Sequence, residues 1–117
     1  MELREERLGR IALLVPSGRI DSTTAPMLGE RIGETLGAPI GALVIDLSAL
    51  DYFSSAGFRT LLVANRLAET HAVALHLCGL SDKLQQLFVL AGFIELFAIH
   101  PQKSEAIAAA SGDATSV

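Results

Sequence analysis

ALVIDLSALDYFSSAGFRTLLVANRLAET, residues 42–70, decides the fold. Its opening run, Ala42 to Leu47, places apolar side chains on both faces of an extended chain. A strand with one wet face alternates apolar and polar residues. A strand covered by helices on both sides does not. From about Ala56 to Thr70 the period changes. Phe58, Leu61, Leu62, Val63 and Leu67 form an apolar side, with Arg59, Arg66 and Glu69 mostly off it, which predicts a helix. A buried strand leading into a helix is the repeating unit of a parallel sheet. Between the two stand Ser54 and Ser55, side by side, then Ala56 and Gly57. One serine is enough to start a helix, so the second hydroxyl needs its own reason.

The flanking sequence extends the pattern in both directions. Residues 2 to 8 mix charged and apolar side chains, as an edge strand does. Gly9-Arg10 gives a turn, and Ile11 to Pro16 pairs back as the second strand of a hairpin. SGRIDSTT then leaves the sheet. Asp21 to Thr24 is rich in N-cap residues and Pro26 suits a first helical turn. Met27, Leu28, Ile32 and Leu36 recur at helical spacing up to Gly37, and Pro39 and Gly41 break the helix. Beyond the central stretch, Val73 to Cys78 is a strand ended by Gly79. Ser81 caps a third helix, with Leu84, Leu87, Phe88 and Leu90 as its buried positions and Gly92 as its close. Glu95 to Ile99 predicts a last short strand, Ser104 to Ala110 a small helix, and SGDATSV a frayed tail. The order is β-β-α-β-α-β-α-β-α, with right-handed crossovers after the hairpin.

Composition narrows the function. The chain has 117 residues, enough for one core. Half the residues are apolar and the mean hydropathy is +0.45, yet the longest apolar runs are too short to span a bilayer. The N-terminus has no signal-peptide pattern, so the sequence reads as a soluble cytoplasmic protein with no membrane insertion. The net charge is −4 with scattered basic residues, which offers nucleic acid no basic stripe. The one cysteine, Cys78, alternates with His76 in an apolar run, as a buried thiol does. No glycine-rich phosphate loop is present. His71, His76 and His100 have no metal-ligand spacing with each other or with Cys78. His71 falls at a helix end, where a charged imidazole complements the dipole.

In open parallel sheets, sites gather beyond the carboxyl ends of the strands. Three groups fall there: Asp21 with Ser22, Asp46 with Ser48, and Ser54 with Ser55. Each also reads as an ordinary turn or cap residue. A hydrolase using Ser54 or Ser55 is one possibility; it needs a base near the serine, and no GxSxG elbow is present. Nucleotide binding is a weaker one.

GRID before the first helix, LVIDLSALDYFSSAGFRTLL, and LHLCGLSDKLQQLFVLAGF together resemble the STAS domain of bacterial anti-sigma factor antagonists. The resemblance runs from about Leu8 to Ala110. It implies an α/β STAS fold: a small, mostly parallel sheet of about four or five strands with an N-terminal β-hairpin, flanked by about four helices. The domain would span residues 1–110, with a flexible C-terminal tail over 111–117. The family motif before the second helix is Asp-Ser-[Ser/Thr/Ala]-Gly, whose first serine is phosphorylated. Gly57 matches its glycine, Ala56 the variable position and Ser55 the phosphoacceptor. Ser54 stands in place of the aspartate. Asp21 matches an acidic residue after the second strand, and Asp46 sits where the family has Asp or Asn.

The resemblance implies a partner switch without catalytic residues, metal or cofactor in this chain. The unphosphorylated protein would bind a GHKL-type anti-sigma factor that is also a serine kinase, and so free the sigma factor. Phosphorylation of Ser55 would end binding, and a PP2C-like phosphatase would reset it. The implied partner surface is Asp21, Ser22, Thr23, Ser54, Ser55, Arg59 and Arg66. STAS domains also serve in lipid transport complexes, stressosome-like assemblies and regulators of secretion, so a non-switching scaffold or regulatory subunit is the alternative.

Overall fold

The computed structural model describes residues 1–115. Strand β1 (Glu2–Leu8) pairs antiparallel with β2 (Ile11–Ile20) through a turn at Gly9-Arg10, where Gly9 takes a φ of +63°. β1 is the sheet edge, and its Glu and Arg residues blunt it against further pairing. β2 is ten residues long and serves two parallel partners in line. Its first half, Ile11 to Leu14, pairs with β3 (Ala42–Asp46). Its second half, Gly18 to Ile20, pairs with β4 (Leu50–Phe53), after a register shift at Gly18/Arg19. β3 pairs in turn with β5 (Ala74–Cys78), and β5 with β6 (Ala98–His100), both parallel.

Side-chain parity sorts the two faces. Ala12, Leu14, Leu43, Ile45, Leu75 and Leu77 face one core. Helices α1 (Ala25–Leu36), α2 (Ser55–Thr70) and α3 (Asp82–Leu90) cover it with Leu28, Ile32, Leu61, Ala64, Leu84 and Phe88. Ile11, Leu13, Ala42, Val44 and Cys78 face the other way, under α4 (Lys103–Thr115). Central strands apolar on both sides are explained by this double cover.

The N-terminal hairpin, the parallel sheet and the four helices agree with the sequence reading. β4 is a sixth strand that the reading did not contain. It is four residues long, half of them exposed, and carries no clear alternation. The last strand lies at Ala98–His100 rather than Glu95–Ile99, because residues 94–97 turn before the chain meets β5. Leu87 and Leu90, read as buried helix positions, are exposed, Leu90 by 83%.

The last helix does not stop at Ala110. It runs to Thr115, so residues 111–115 are helical where a flexible tail was expected, and residues 116–117 lie outside the described residues. Two contacts override the weak helix propensity of Ser, Gly and Asp there. Ala106, Ala110 and Ala114 continue one buried stripe at four-residue spacing. Asp113 reaches the sheet: its Oδ2 lies 2.7 Å from His76 Nε2. His76 Nδ1 is 3.0 Å from His100 Nε2. With Asp113 ionised, the Nε2–H of His76 donates to it, and Nδ1 accepts from the Nε2–H of His100. Both ring nitrogens of a buried histidine are thereby satisfied.

α4 lies close to the sheet at Gly41, where an added Cβ would stand 2.9 Å from Ala114 Cα. Gly41→Ala should therefore cost about 1–3 kcal/mol by overpacking. Gly33→Ala, in α1 with nothing within 4 Å of the added Cβ, should gain up to about 1 kcal/mol. Urea unfolding of the two variants checks the contrast.

Candidate functional site

The loop after β2 is built by Asp21. Its Oδ1 accepts hydrogen bonds from the Thr23 backbone N–H at 2.9 Å, the Thr23 hydroxyl at 2.6 Å and the Thr24 N–H at 3.1 Å. In return the Thr24 hydroxyl accepts from the Asp21 N–H at 2.9 Å and donates to the Arg19 carbonyl at 2.9 Å. The Thr23 hydroxyl and backbone N–H, followed by the bonds from Thr24, hold the Asp21 carboxyl below its ordinary 3.8. The loop contribution of these bonds is present above that value and lost as pH falls through the lowered one. Ser22 and Thr23 are carried outward on this loop, both exposed.

β4 brings the serines beside it. The parallel pairing of Phe53 with Ile20 ends in a hydrogen bond from Ser54 N–H to the Ile20 carbonyl at 2.9 Å. Ser54 therefore sits next to Asp21 in space, and it is the last extended residue before α2, with φ −94° and ψ 176°. Its hydroxyl does not cap the helix. The Oγ is shut off from solvent and has no hydrogen-bond partner. Ser55, the first helical residue, is exposed. One serine would be enough to start a helix, yet neither serine side chain caps α2.

Beneath the serines the helix start is held by aromatic rings. An added Cβ on Gly57 would meet the Phe53 ring at 2.8 Å. Phe53 packs edge-on to Phe58 with centroids 5.2 Å apart, and Phe58 leans on Phe88 at 4.9 Å. Two hollows flank this ridge. One, of about 410 Å³, lies between α1 and α2 and is lined by Ser22, Pro26, Ala56, Arg59 and Val63 among others. The other, of about 390 Å³, lies between the β4–α2 junction and α3, with Asp51, Ser54, Ser55, Lys83 and Leu87 in its lining.

The structure thus gathers Asp21, Ser22, Thr23, Ser54, Ser55, Ala56, Gly57 and Arg59 around one helix start. Arg66 is exposed further along α2 and lines neither hollow. Asp46 does not join them. By strand parity its side chain projects toward the α4 face, next to Cys78. There its Oδ1 accepts from the Ser48 N–H at 3.0 Å and closes the turn after β3. Gly79, at φ +72°, leaves room for that carboxylate, since a Cβ would stand 2.6 Å from it. Burial first, then the Asp46 carboxylate, pushes the Cys78 thiol up to about 12, so it stays protonated at neutral pH.

The histidines are elsewhere. His71 ends α2, and His76 and His100 bond to one another, His76 also to Asp113. Among the described residues neither Ser54 nor Ser55 is hydrogen-bonded to a histidine, so the site lacks the base a serine nucleophile requires. No group of three or more His, Cys, Asp or Glu among the described residues is placed to hold a metal. No helix among them is long and apolar enough to cross a membrane. Lys83, which lines the second hollow, was not singled out from sequence. Its place in the first turn of α3, where a cation opposes the helix dipole, was the available signal.

Comparison with known proteins places this arrangement. The model of the STAS domain family matches residues 3–106. The chain is 30% identical over 110 residues to the putative anti-sigma factor antagonist BtrV of Bordetella bronchiseptica, covering 93% of this chain and 94% of that protein. Among solved structures, an anti-sigma factor antagonist from Mycobacterium paratuberculosis has a TM-score of 0.85 at 25% identity, over 94% of this chain and 93% of that one. The Bacillus cell fate determinant SpoIIAA in its phosphorylated form shares the fold, with a TM-score of 0.72 at 17% identity, over 92% of this chain and 98% of that one.

The serines at helix starts should respond differently to removal. Ser81 Oγ accepts from the Leu84 N–H at 3.1 Å, so Ser81→Ala should cost about 1 kcal/mol. Ser54 Oγ has no partner to lose, so Ser54→Ala should be neutral or slightly stabilising. Urea midpoints of the two variants measure both.

Proposed function

The chain belongs to the STAS domain family, and we propose that it works as an anti-sigma factor antagonist switched by phosphorylation of Ser55. The observation that carries this reading is the Ser55 hydroxyl: exposed, at the first residue of a long helix, between two hollows and beside the Asp21 loop. The names of its relatives support it. So does the match of Ser55, Ala56 and Gly57 to the family's phosphorylation motif.

In this reading the unmodified face of α1, α2 and the Asp21 loop binds an anti-sigma factor that is also a GHKL-type serine kinase. Ser22, Thr23, Ser55 and Arg59, all exposed, supply its polar contacts, with Ser54 packed beneath them. The kinase transfers the γ-phosphoryl of ATP to Ser55 Oγ. The new P–O bond forms as the bond to ADP breaks, and the hydroxyl proton passes to a base of the kinase. Hydrolysis by a PP2C-like phosphatase restores the hydroxyl and releases inorganic phosphate. The chain itself is not an enzyme, and the ATP belongs to the kinase.

The consequences follow from charge. A phosphate adds about −1.5 to −2 and three acceptor oxygens. A helix N-terminus favours anions, so the modified α2 keeps its form. A docked partner must desolvate the new dianion or meet it with its own carboxylates. A penalty of about 4 kcal/mol weakens binding roughly a thousandfold.

A specific observation keeps the scaffold role as the second reading: the family's aspartate is replaced by Ser54, whose hydroxyl meets nothing. Incubation with each GHKL-type kinase of the source organism and ATP, followed by mass spectrometry, separates the two. The switch requires phosphate on Ser55 that is absent in Ser55→Ala. Stable complexes that never acquire phosphate support the scaffold instead. Ser55→Asp should fold normally and bind the kinase more weakly; unchanged affinity would count against an electrostatic switch.

A further inference from the structure

We propose that a phosphate on Ser55 is held in cis by Lys83, which draws the first turn of α3 over the modified serine and closes the cleft between α2 and α3. The proposal rests on Ser55 being the phosphoacceptor.

Ser54, Ser55 and Lys83 line the same cleft, although they come from different helix starts. Lys83 is exposed and makes no ion pair among the described residues. Its position does nothing for α3. The first turn of that helix is served by the Ser81 cap and by Asp82, and a cation there opposes the dipole.

The other side of the cleft is the complement. α2 starts without a side-chain cap and without an acidic residue in its first turn. The adjacent Ser54 hydroxyl is a buried donor with no acceptor, an uncommon and costly state in a folded chain. A phosphate on the next residue brings three acceptor oxygens to that hydroxyl and to the free N–H groups of the helix start. Arg59 follows Ser55 by one turn on the same helix, in the favourable order of anion before cation. Asp51 is the acid in the cleft lining, and Lys83 is the cation there that offsets it.

Phosphorylation then does two things at once. It adds charge to the partner face, and it closes the cleft beside that face by engaging the lysine that lines it. The switch becomes a local closure as well as a repulsion.

The test installs phosphoserine at position 55 of the full chain by genetic code expansion, so that no kinase is needed. The chain has two lysines, Lys83 and Lys103. Lys103 begins α4 on the opposite face and is an internal control. Acetylation by an N-hydroxysuccinimide ester is followed at both sites by mass spectrometry. Lys83 should react about threefold more slowly in the phosphorylated chain, the size expected of one partly exposed ion pair, while Lys103 is unchanged. By phosphorus NMR, the second ionisation of the phosphate should lie about half a unit below that of a phosphopeptide of residues 51–58. Lys83→Gln should bring it back toward the peptide. Equal acetylation of Lys83 in both forms, or a phosphate indifferent to Lys83→Gln, overturns the clamp. Failure of every kinase to modify Ser55 instead overturns the switch on which it rests, so the two failures are told apart.

Discussion

The whole candidate site depends on β2 being long enough to hold two parallel strands end to end. Its first half pairs with β3 and its last three residues with β4. The bulge at Gly18/Arg19, with Gly18 at φ +89°, turns the second half so that β4 can lie beyond the end of β3. The last hydrogen bond of this pairing, Ser54 N–H to the Ile20 carbonyl, fixes the α2 start beside the Asp21 loop. Two segments more than thirty residues apart in sequence become one surface through it. Arg19, stacked 4.3 Å above the Tyr52 ring, reinforces the same pairing from outside.

The unequal serines are a consequence of that geometry. Ser54 is still extended and its N–H is spent on β2, so its side chain turns inward. Ser55 is already helical and faces solvent. One peptide unit separates a hydroxyl with no partner from a hydroxyl within reach of another protein. In the motif that the sequence resembles, an aspartate stands at this position, a residue type that can cap a helix start. Serine could do the same in another rotamer. Here it leaves the helix start without a side-chain cap, with N–H groups that a phosphate at Ser55 would meet.

Much of this was legible in sequence because it rests on periodicity. ALVIDL announced a strand covered on both faces, and the changes of period placed α1, α2 and α3 within a residue or two. The rest depends on contacts distant in sequence. LDYF became a strand because β2 had a free edge to offer, which no local pattern reveals. SGDAT became helix because Ala114 and Asp113 found Gly41 and His76. The site reading placed the Asp21 loop and the serines at strand ends, and the structure brings them around one helix start. It misplaced Asp46, because proximity to a strand end was weighed without the parity that sends its side chain to the α4 face. It passed over Lys83, because one lysine in a polar turn looks like surface until the cleft around it is visible.

The packing under Ser55 determines how a charge there is read. Gly57 touches the Phe53 ring, and Phe53, Phe58 and Phe88 form a continuous aromatic stack down to a fully buried side chain. Such a stack resists small displacements, because close-packed interiors deform in discrete steps rather than smoothly. A dianion on the exposed residue above it has donors at the helix start and no buried carboxylate to repel, since Asp46 lies on the other side of the sheet. The added charge is therefore expressed at the surface, among the exposed side chains around Ser55. A rigid base under a modifiable hydroxyl lets a covalent change alter recognition without altering the fold.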